Sequence, residues 1–375
     1  MKVKSYIEDL IHGRRQGFLA SILRLILGFL SFFYGTFIKL RNFAYDLKIF
    51  SPYSPQVPLV ISIGNITAGG TGKTPAVLFT AKEFYGEFKI AVLSRGYLSS
   101  AEKEAFPTVL SRGDGKGPLY PASQAGDEPV LIAENLPKAI VAVGKNRCEA
   151  SKITVAMGAE LILLDDGLQH RKLARDLDIV LVDSQDPFGN GSFLPRGFLR
   201  DEIKSLSRAD LIILNHVESE GQFLSVKSQM EKYSKAKVIG VTTRVSKVFD
   251  LSRTELFCLD EKKLEGKKVA IFCALAKPEK FKKTVLNEGA EILAEYFISD
   301  HLPFDPIDLE NFANVCRAKG VEMLVCTEKD QVKLPKYLKV SLSVVWIKVE
   351  IYPVYGNNDW TTFIKNAKKT ISRRL

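Results

Sequence analysis

The stretch Val60-Ile-Ser-Ile-Gly-Asn-Ile-Thr-Ala-Gly-Gly-Thr-Gly-Lys-Thr-Pro75 constrains this chain more than any other. An apolar run stops, a glycine-rich turn follows, and Lys73-Thr74 open a helical pattern. Strand, tight turn and helix in that order make the phosphate-binding layout of nucleoside-triphosphate proteins. Gly69, Gly70 and Gly72 let the backbone bend round an anion with its N–H groups turned inward, and the helix N-terminus adds a favourable dipole end. Thr67, Ala68, Gly69, Gly70, Thr71, Gly72, Lys73 and Thr74 are therefore expected to bind ATP. Lys73 would reach the terminal phosphates and act in catalysis, and the Thr74 hydroxyl would ligate Mg²⁺. The first glycine of G-x-x-x-x-G-K-[ST] is replaced by Thr67. A glycine-rich turn that merely carries a lysine is the structural alternative.

After Pro52, Pro55 and Pro58 the pattern alternates between strand and helix. Strand-like apolar runs fall at Leu59–Ile63, Lys89–Leu93, Ala139–Val143, Leu161–Leu164, Ile179–Val182 and Leu211–Leu214, with helical stretches such as Pro75–Phe84 and Glu128–Leu136 between them. Runs apolar on both faces predict a mostly parallel sheet with helices on both sides, and catalytic loops at the carboxyl ends of the strands. Ser111–Gly117 reads as a flexible surface loop. Around Val245–Glu265 the chain becomes charged and irregular, and a second block follows with strands at Val269–Ala274, Met323–Cys326 and Val344–Val349. The expected fold class is thus α/β: a P-loop NTPase-like domain over 51–245, a smaller α/β domain over 246–375, and an N-terminal helical region over 1–50. The basic Lys365–Leu375 segment reads as a solvated helix end that also suits anionic lipid.

Phe18 to Ile38 is apolar apart from Arg24, about the length of a bilayer span. Arg24 at a helix centre would cost roughly 2.5–3.5 kcal/mol. Basic residues flank the run on both sides: Lys2, Lys4, Arg14 and Arg15 before it, Lys39, Arg41 and Lys48 after it. A spanning helix shows a one-sided bias, so symmetric flanks favour a helix lying in the headgroup region. A buried core helix is the alternative. A cleaved signal peptide is disfavoured, because the run is too long and no small-x-small site follows. The net charge of +10 favours acidic partners. No interleaved aromatic and basic stretch supports nucleic-acid binding. Five scattered cysteines and four histidines offer no disulfide framework or metal-ligand spacing.

Three further constellations carry chemistry. In Leu161-Ile-Leu-Leu-Asp165-Asp166-Gly-Leu-Gln-His170 an apolar strand ends in acid, the Walker B arrangement that positions Mg²⁺. An Asp-Gly turn explains the same letters. In Gly126-Asp127-Glu128-Pro129, Asp127 reads as a helix N-cap or as a catalytic acid or base. In Asp300-His301-Leu302-Pro303 a histidine beside an aspartate suits proton relay, or is an ordinary surface residue. Arg95 in Ser94-Arg-Gly-Tyr97 and Arg200 in Leu199-Arg-Asp201 are suited to phosphate contacts or to salt bridges.

Together with Thr327-Glu-Lys-Asp330, these pieces resemble, over nearly the whole chain, the tetraacyldisaccharide 4′-kinases, the lipid A kinases of Gram-negative bacteria. The resemblance implies transfer of the ATP γ-phosphate to the 4′-hydroxyl of a tetraacyldisaccharide 1-phosphate, giving lipid IVA, by an enzyme on the cytoplasmic face of the inner membrane. It implies two α/β domains meeting at the active site, Asp127 as catalytic aspartate with His301 as its paired histidine, and Asp165 and Asp166 as metal-binding acids. Arg95, Glu128, His170, Arg200 and Asp201 are the expected substrate contacts. Leu302 stands where the family often has a second histidine, Asp201 where it usually has glutamate, and Leu98 where a smaller or polar residue is common. An Asp127–His301 pair drawn from two domains would assemble only on closure, limiting wasteful hydrolysis. The rival reading is a P-loop switch NTPase acting on a protein partner; no such partner is legible.

Overall fold

Leu59–Asn65 is buried along its whole length, as a strand covered on both faces must be. It pairs in parallel with Leu161–Asp165 on one side and Leu177–Asp183 on the other. Ile90–Ser94 continues the sheet beyond Leu161–Asp165; Leu211–Asn215 and then Lys237–Asp250 continue it beyond Leu177–Asp183, all in parallel. The helix Lys73–Lys82 covers Leu59–Asn65 and Leu161–Asp165 with Ala76, Val77, Leu78 and Ala81. This topology puts Asn65, Ser94, Asp165, Asp183 and Asn215 at the carboxyl ends of neighbouring strands, where ligands bind in open parallel sheets.

The computed structural model describes residues 10–11, 14–251, 258–259, 264–300, 302–334 and 338–375. The chain groups into two units: Met1–Arg95, Asn146–Thr242 and Tyr352–Leu375 form the first, Gly96–Lys145 and Thr243–Ile351 the second. In the second unit Glu291–Phe297, Lys268–Cys273, Met323–Thr327 and residues 343–347 lie side by side in parallel. The helices Pro278–Asn287 and Pro306–Ala318 pack on them, and Phe249 stacks on Trp346 at 4.2 Å.

These units differ from the division drawn along the sequence at 50 and 245. The helix Asp127–Asn135 packs on Glu328–Gln331, and Asn135 Nδ2 donates to Glu328 Oε1 at 2.9 Å. That contact joins Gly96–Lys145 to residues far along the chain, and local periodicity does not report it. The helix Asn357–Arg374 buries Trp360, Ile364, Ala367 and Ile371 in the first unit, while Arg374 pairs with Asp176 at 2.6 Å. The C-terminal basic segment is therefore half packed, not simply solvated. Ile140–Val143 pairs antiparallel with Thr108–Arg112, a strand the sequence pattern does not announce. That strand takes in the start of the expected Ser111–Gly117 loop, and Ser111 is fully buried.

The N-terminal helix runs Phe18–Asp46 and is the one helix among the described residues long and apolar enough to cross a membrane. Its buried stripe is Ala20, Ser31, Gly35, Ile38 and Asn42, while Phe18, Phe29, Phe32, Phe33 and Phe37 are exposed. With only 17% of its most apolar window buried, it is not a core helix. A Cβ on Gly35 would lie 2.5 Å from the Phe193 ring, so glycine permits this close approach. Further along, Asn42 Nδ2 donates to Asp201 Oδ1 at 2.8 Å and to Glu202 Oε1 at 2.9 Å. Asp201 is fully buried and also accepts from Ser205 Oγ at 2.9 Å and Arg208 Nη2 at 3.2 Å. Removing a buried charge from such a set strands its partners. Asp201→Ala should lose about 3–5 kcal/mol of unfolding free energy in urea titrations, whereas Phe29→Ser on the exposed face should change it by less than about 0.5 kcal/mol.

Candidate functional site

The phosphate loop is held from two strand ends by buried amides. Asn65 Nδ2 donates to Thr67 O and to Thr71 Oγ1, both at 2.7 Å. Asn215 Nδ2 donates to Thr71 O at 3.0 Å. Gly72 follows with φ +85°, a left-handed value that disfavours any Cβ, and a Cβ there would sit 2.4 Å from Asn215 Nδ2. The helix begins at Lys73, so the N–H groups of its first turn, which lack intrahelical partners, end the loop. The expected nucleotide residues divide in two. Gly69 and Gly70 are exposed, and Gly72, Lys73 and Thr74 are partly so. Thr67 and Thr71 are buried, and the Ala68 N–H donates to Phe198 O at 2.7 Å. The bonds of those three hold the loop to the surrounding protein.

Beside the loop, Asp165 is buried and accepts from Ser94 Oγ at 2.8 Å, while its carbonyl accepts from Arg147 Nη2 at 3.1 Å. Asp166 turns into the left-handed region at φ +56°. Arg200 donates from Nη1 to Asp166 Oδ2 at 2.7 Å, and from Nη2 to both Asp166 Oδ1 and Asn65 Oδ1. Burial opposes ionisation of Asp166, but Arg200, Lys73 and Arg147 outweigh it and hold the carboxyl well below the usual carboxylate range. Mg²⁺ takes one or two protein oxygens and fills its octahedron with water and phosphate oxygens. Thr74 and Asp165 fit that donor set. Asp166 and Arg200 are paired with each other. Among the described residues no cluster of three or more His, Cys, Asp or Glu would hold a metal by itself.

In the second unit, Gly126 at φ +95° precedes the helix and Asp127 is its first residue, not its cap. Lys329 Nζ lies 3.5 Å from Asp127 Oδ2, 3.4 Å from Glu128 Oε1 and 3.2 Å from Asp300 Oδ1. Burial disfavours the ammonium, but the carboxylates of Glu128, Asp127 and Asp300 more than offset it and raise its pKa. Lys329 stands in Thr327-Glu-Lys-Asp330, a segment to which no role attaches from sequence. His301 lies outside the described residues. Asp127 and Asp300 belong to one unit and share Lys329, while the expected pairing of Asp127 with His301 falls on a residue outside the described ones.

Residues 23–368 match the family model for LpxK, tetraacyldisaccharide-1-P 4′-kinase. The chain belongs to this kinase family. A tetraacyldisaccharide 4′-kinase of Halothermothrix orenii is 35% identical over 366 residues, covering 93% of this chain and 94% of that protein. One from Syntrophus aciditrophicus is 37% identical over 342 residues, with 87% and 88% covered. A crystal structure of LpxK from Aquifex aeolicus in complex with ATP superposes with a TM-score of 0.73 at 26% identity, covering 92% of this chain and 99% of that one.

Among the remaining expected contacts, Arg95 is exposed just beyond Ile90–Ser94, and Glu128 is partly exposed. Asp201 is fully buried in the contacts that seat the N-terminal helix. His170 is partly buried, with Nε2 shielded and without a hydrogen-bond partner among the described residues. Burial first, then Arg147, Arg175, Lys172 and Arg95, depress its pKa from 6.5 to about 4. The supporting residues that sequence reasoning missed are Asn65, Asn215 and Lys329. Asn65 stood inside the motif; the amide at the end of an apolar strand was the only signal for Asn215.

A depressed histidine pKa favours the folded state above pH 6.5 and loses that contribution as pH falls toward 4. Stability should therefore decline by up to about 3 kcal/mol over that interval. In His170→Gln the decline should be smaller by that amount, as read from melting curves at each pH. Gly72→Ala should weaken ATP binding by at least about tenfold, measured by titration with a fluorescent ATP analogue.

Proposed function

We propose that this chain transfers the γ-phosphate of ATP to the 4′-hydroxyl of a tetraacyldisaccharide 1-phosphate at the cytoplasmic face of a bacterial inner membrane. The observation that carries this reading is the phosphate loop at the end of Leu59–Asn65, built on two buried asparagines, in a chain of this kinase family. Lys73 and the N–H groups of its helix offset charge on the transferred phosphoryl group. Mg²⁺, when bound through Thr74 and Asp165, would neutralise charge on the phosphate oxygens.

Asp127 is the proposed general base. The 4′-oxygen forms its bond to the γ-phosphorus, the bond from that phosphorus to the β,γ-bridging oxygen breaks, ADP leaves, and the hydroxyl proton passes to the Asp127 carboxylate. Lys329 Nζ, 3.5 Å away, holds that carboxylate in place. His301, adjacent to Asp300, is the proposed partner that takes the proton onward. Arg95 and Glu128 remain the proposed substrate contacts of the polar headgroup.

The acyl chains stay in lipid, where each buried CH₂ is worth about 0.8 kcal/mol, so the enzyme must come to its substrate. The exposed aromatic and aliphatic face of Phe18–Asp46 supports a helix lying in the lipid surface, since its opposite face is bonded to the protein between Ser31 and Asn42.

Purified protein, γ-labelled ATP and the disaccharide in detergent micelles should give labelled lipid. Label released only as inorganic phosphate would overturn the reading and favour a switch NTPase. Asp127→Asn should lower kcat by about 10²–10⁴-fold with ATP affinity retained; near-normal turnover would remove Asp127 from the chemistry.

A further inference from the structure

The segment Phe193–Glu202 is bonded on one side to the apolar helix and on the other to the phosphate loop. Toward the helix, Ser31 Oγ donates to Phe193 O at 2.8 Å, Tyr34 Oη to Arg200 O at 3.1 Å, and Asn42 Nδ2 to Asp201 Oδ1 at 2.8 Å. Toward the loop, the Ala68 N–H donates to Phe198 O at 2.7 Å and the Arg200 N–H to Ile66 O at 2.9 Å, with Thr67 and Leu199 forming an antiparallel bridge. The Arg200 guanidinium then ties the segment to Asp166 and Asn65. A helix displacement therefore has a short, bonded route to the loop. Close-packed elements pass displacements on instead of absorbing them.

We propose that Phe193–Glu202 couples the apolar helix to the phosphate loop, so that seating the helix in a lipid surface orders Gly69–Thr74 and tightens ATP binding. The proposal rests on the reading of the loop as an ATP site and of the helix as membrane-facing. In water the exposed phenylalanines of the helix gain nothing from its present placement, and a lipid surface supplies the medium that favours it. Asn42, Tyr34 and Ser31 are then positioning residues, acting on ATP only through the segment. Coupling is reciprocal: ATP must strengthen membrane binding by the same factor.

The test titrates a fluorescent ATP analogue into the full chain, with and without phosphatidylethanolamine–phosphatidylglycerol vesicles that lack the disaccharide. Vesicles should tighten binding roughly 5–20-fold, and ATP should increase the fraction of protein floating with vesicles to match. The double variant Asn42→Ala, Tyr34→Phe should still float, should keep its vesicle-free ATP affinity, and should lose the tightening. If that variant unfolds at a lower temperature, Ser31→Ala, which removes one bond, should show a reduced tightening with an unchanged melting temperature. Vesicle-independent ATP affinity in the unaltered protein, or equal tightening in the variants, would overturn the coupling. Failure to bind ATP under either condition would instead overturn the assignment of the loop itself, and the coupling with it.

Discussion

The grip of Arg200 on Asp166 and Asn65 is the interaction on which the nucleotide face depends. Two adjacent aspartates end an apolar strand, and their mutual repulsion at low dielectric has to be relieved. The structure treats them differently. Asp165 accepts a hydroxyl from Ser94, and Asp166 turns into left-handed backbone to meet a guanidinium. The same guanidinium reaches Asn65, whose amide nitrogen holds Thr67 and Thr71. One planar cation with several fixed donors thus sets both the acid turn and the loop, a task for which a point charge such as lysine is poorly shaped.

The second unit solves an opposite problem. Lys329 is a single ammonium among three carboxylates, those of Asp127, Glu128 and Asp300. The lysine prevents the acids from repelling one another apart and keeps Asp127 beside Asp300. Cation and carboxylates are assembled within one unit, which for the proposed base would supply geometry in advance.

Local pattern made much of the first unit legible. The strands from Leu59 to Leu214 and the helix after Gly72 follow from apolar runs and turn chemistry that involve near neighbours. What escaped was non-local. The strand Thr108–Arg112 exists because Ile140–Val143 lies beside it, and Gly96–Lys145 joins the second unit through contacts with Glu328–Gln331. Within the site, the turn at Gly72 and the helix start at Lys73 were readable because the motif states them. The roles of Asn215 and Lys329 were not, since each acts on residues more than a hundred positions away. The burial of Asp201 was not legible for the related reason that residue type does not report which contacts a carboxylate makes.

The N-terminal helix reverses the usual amphipathic arrangement. A helix on a water-soluble domain turns its large apolar side chains inward and its polar ones outward. Here the inward stripe carries Ala20, Ser31, Gly35 and Asn42, and the outward face carries phenylalanines and leucines. Small and polar residues let the helix approach closely and hydrogen-bond to the domain, much as helices associate inside membranes. At about 25 cal/mol per Å² of apolar surface, an exposed face of that kind forgoes several kcal/mol in water and recovers it in lipid. Such a face is what the proposed membrane placement would bury. The inward face is hydrogen-bonded to the domain from Ser31 to Asn42, so only the outward face is available to the lipid surface proposed above.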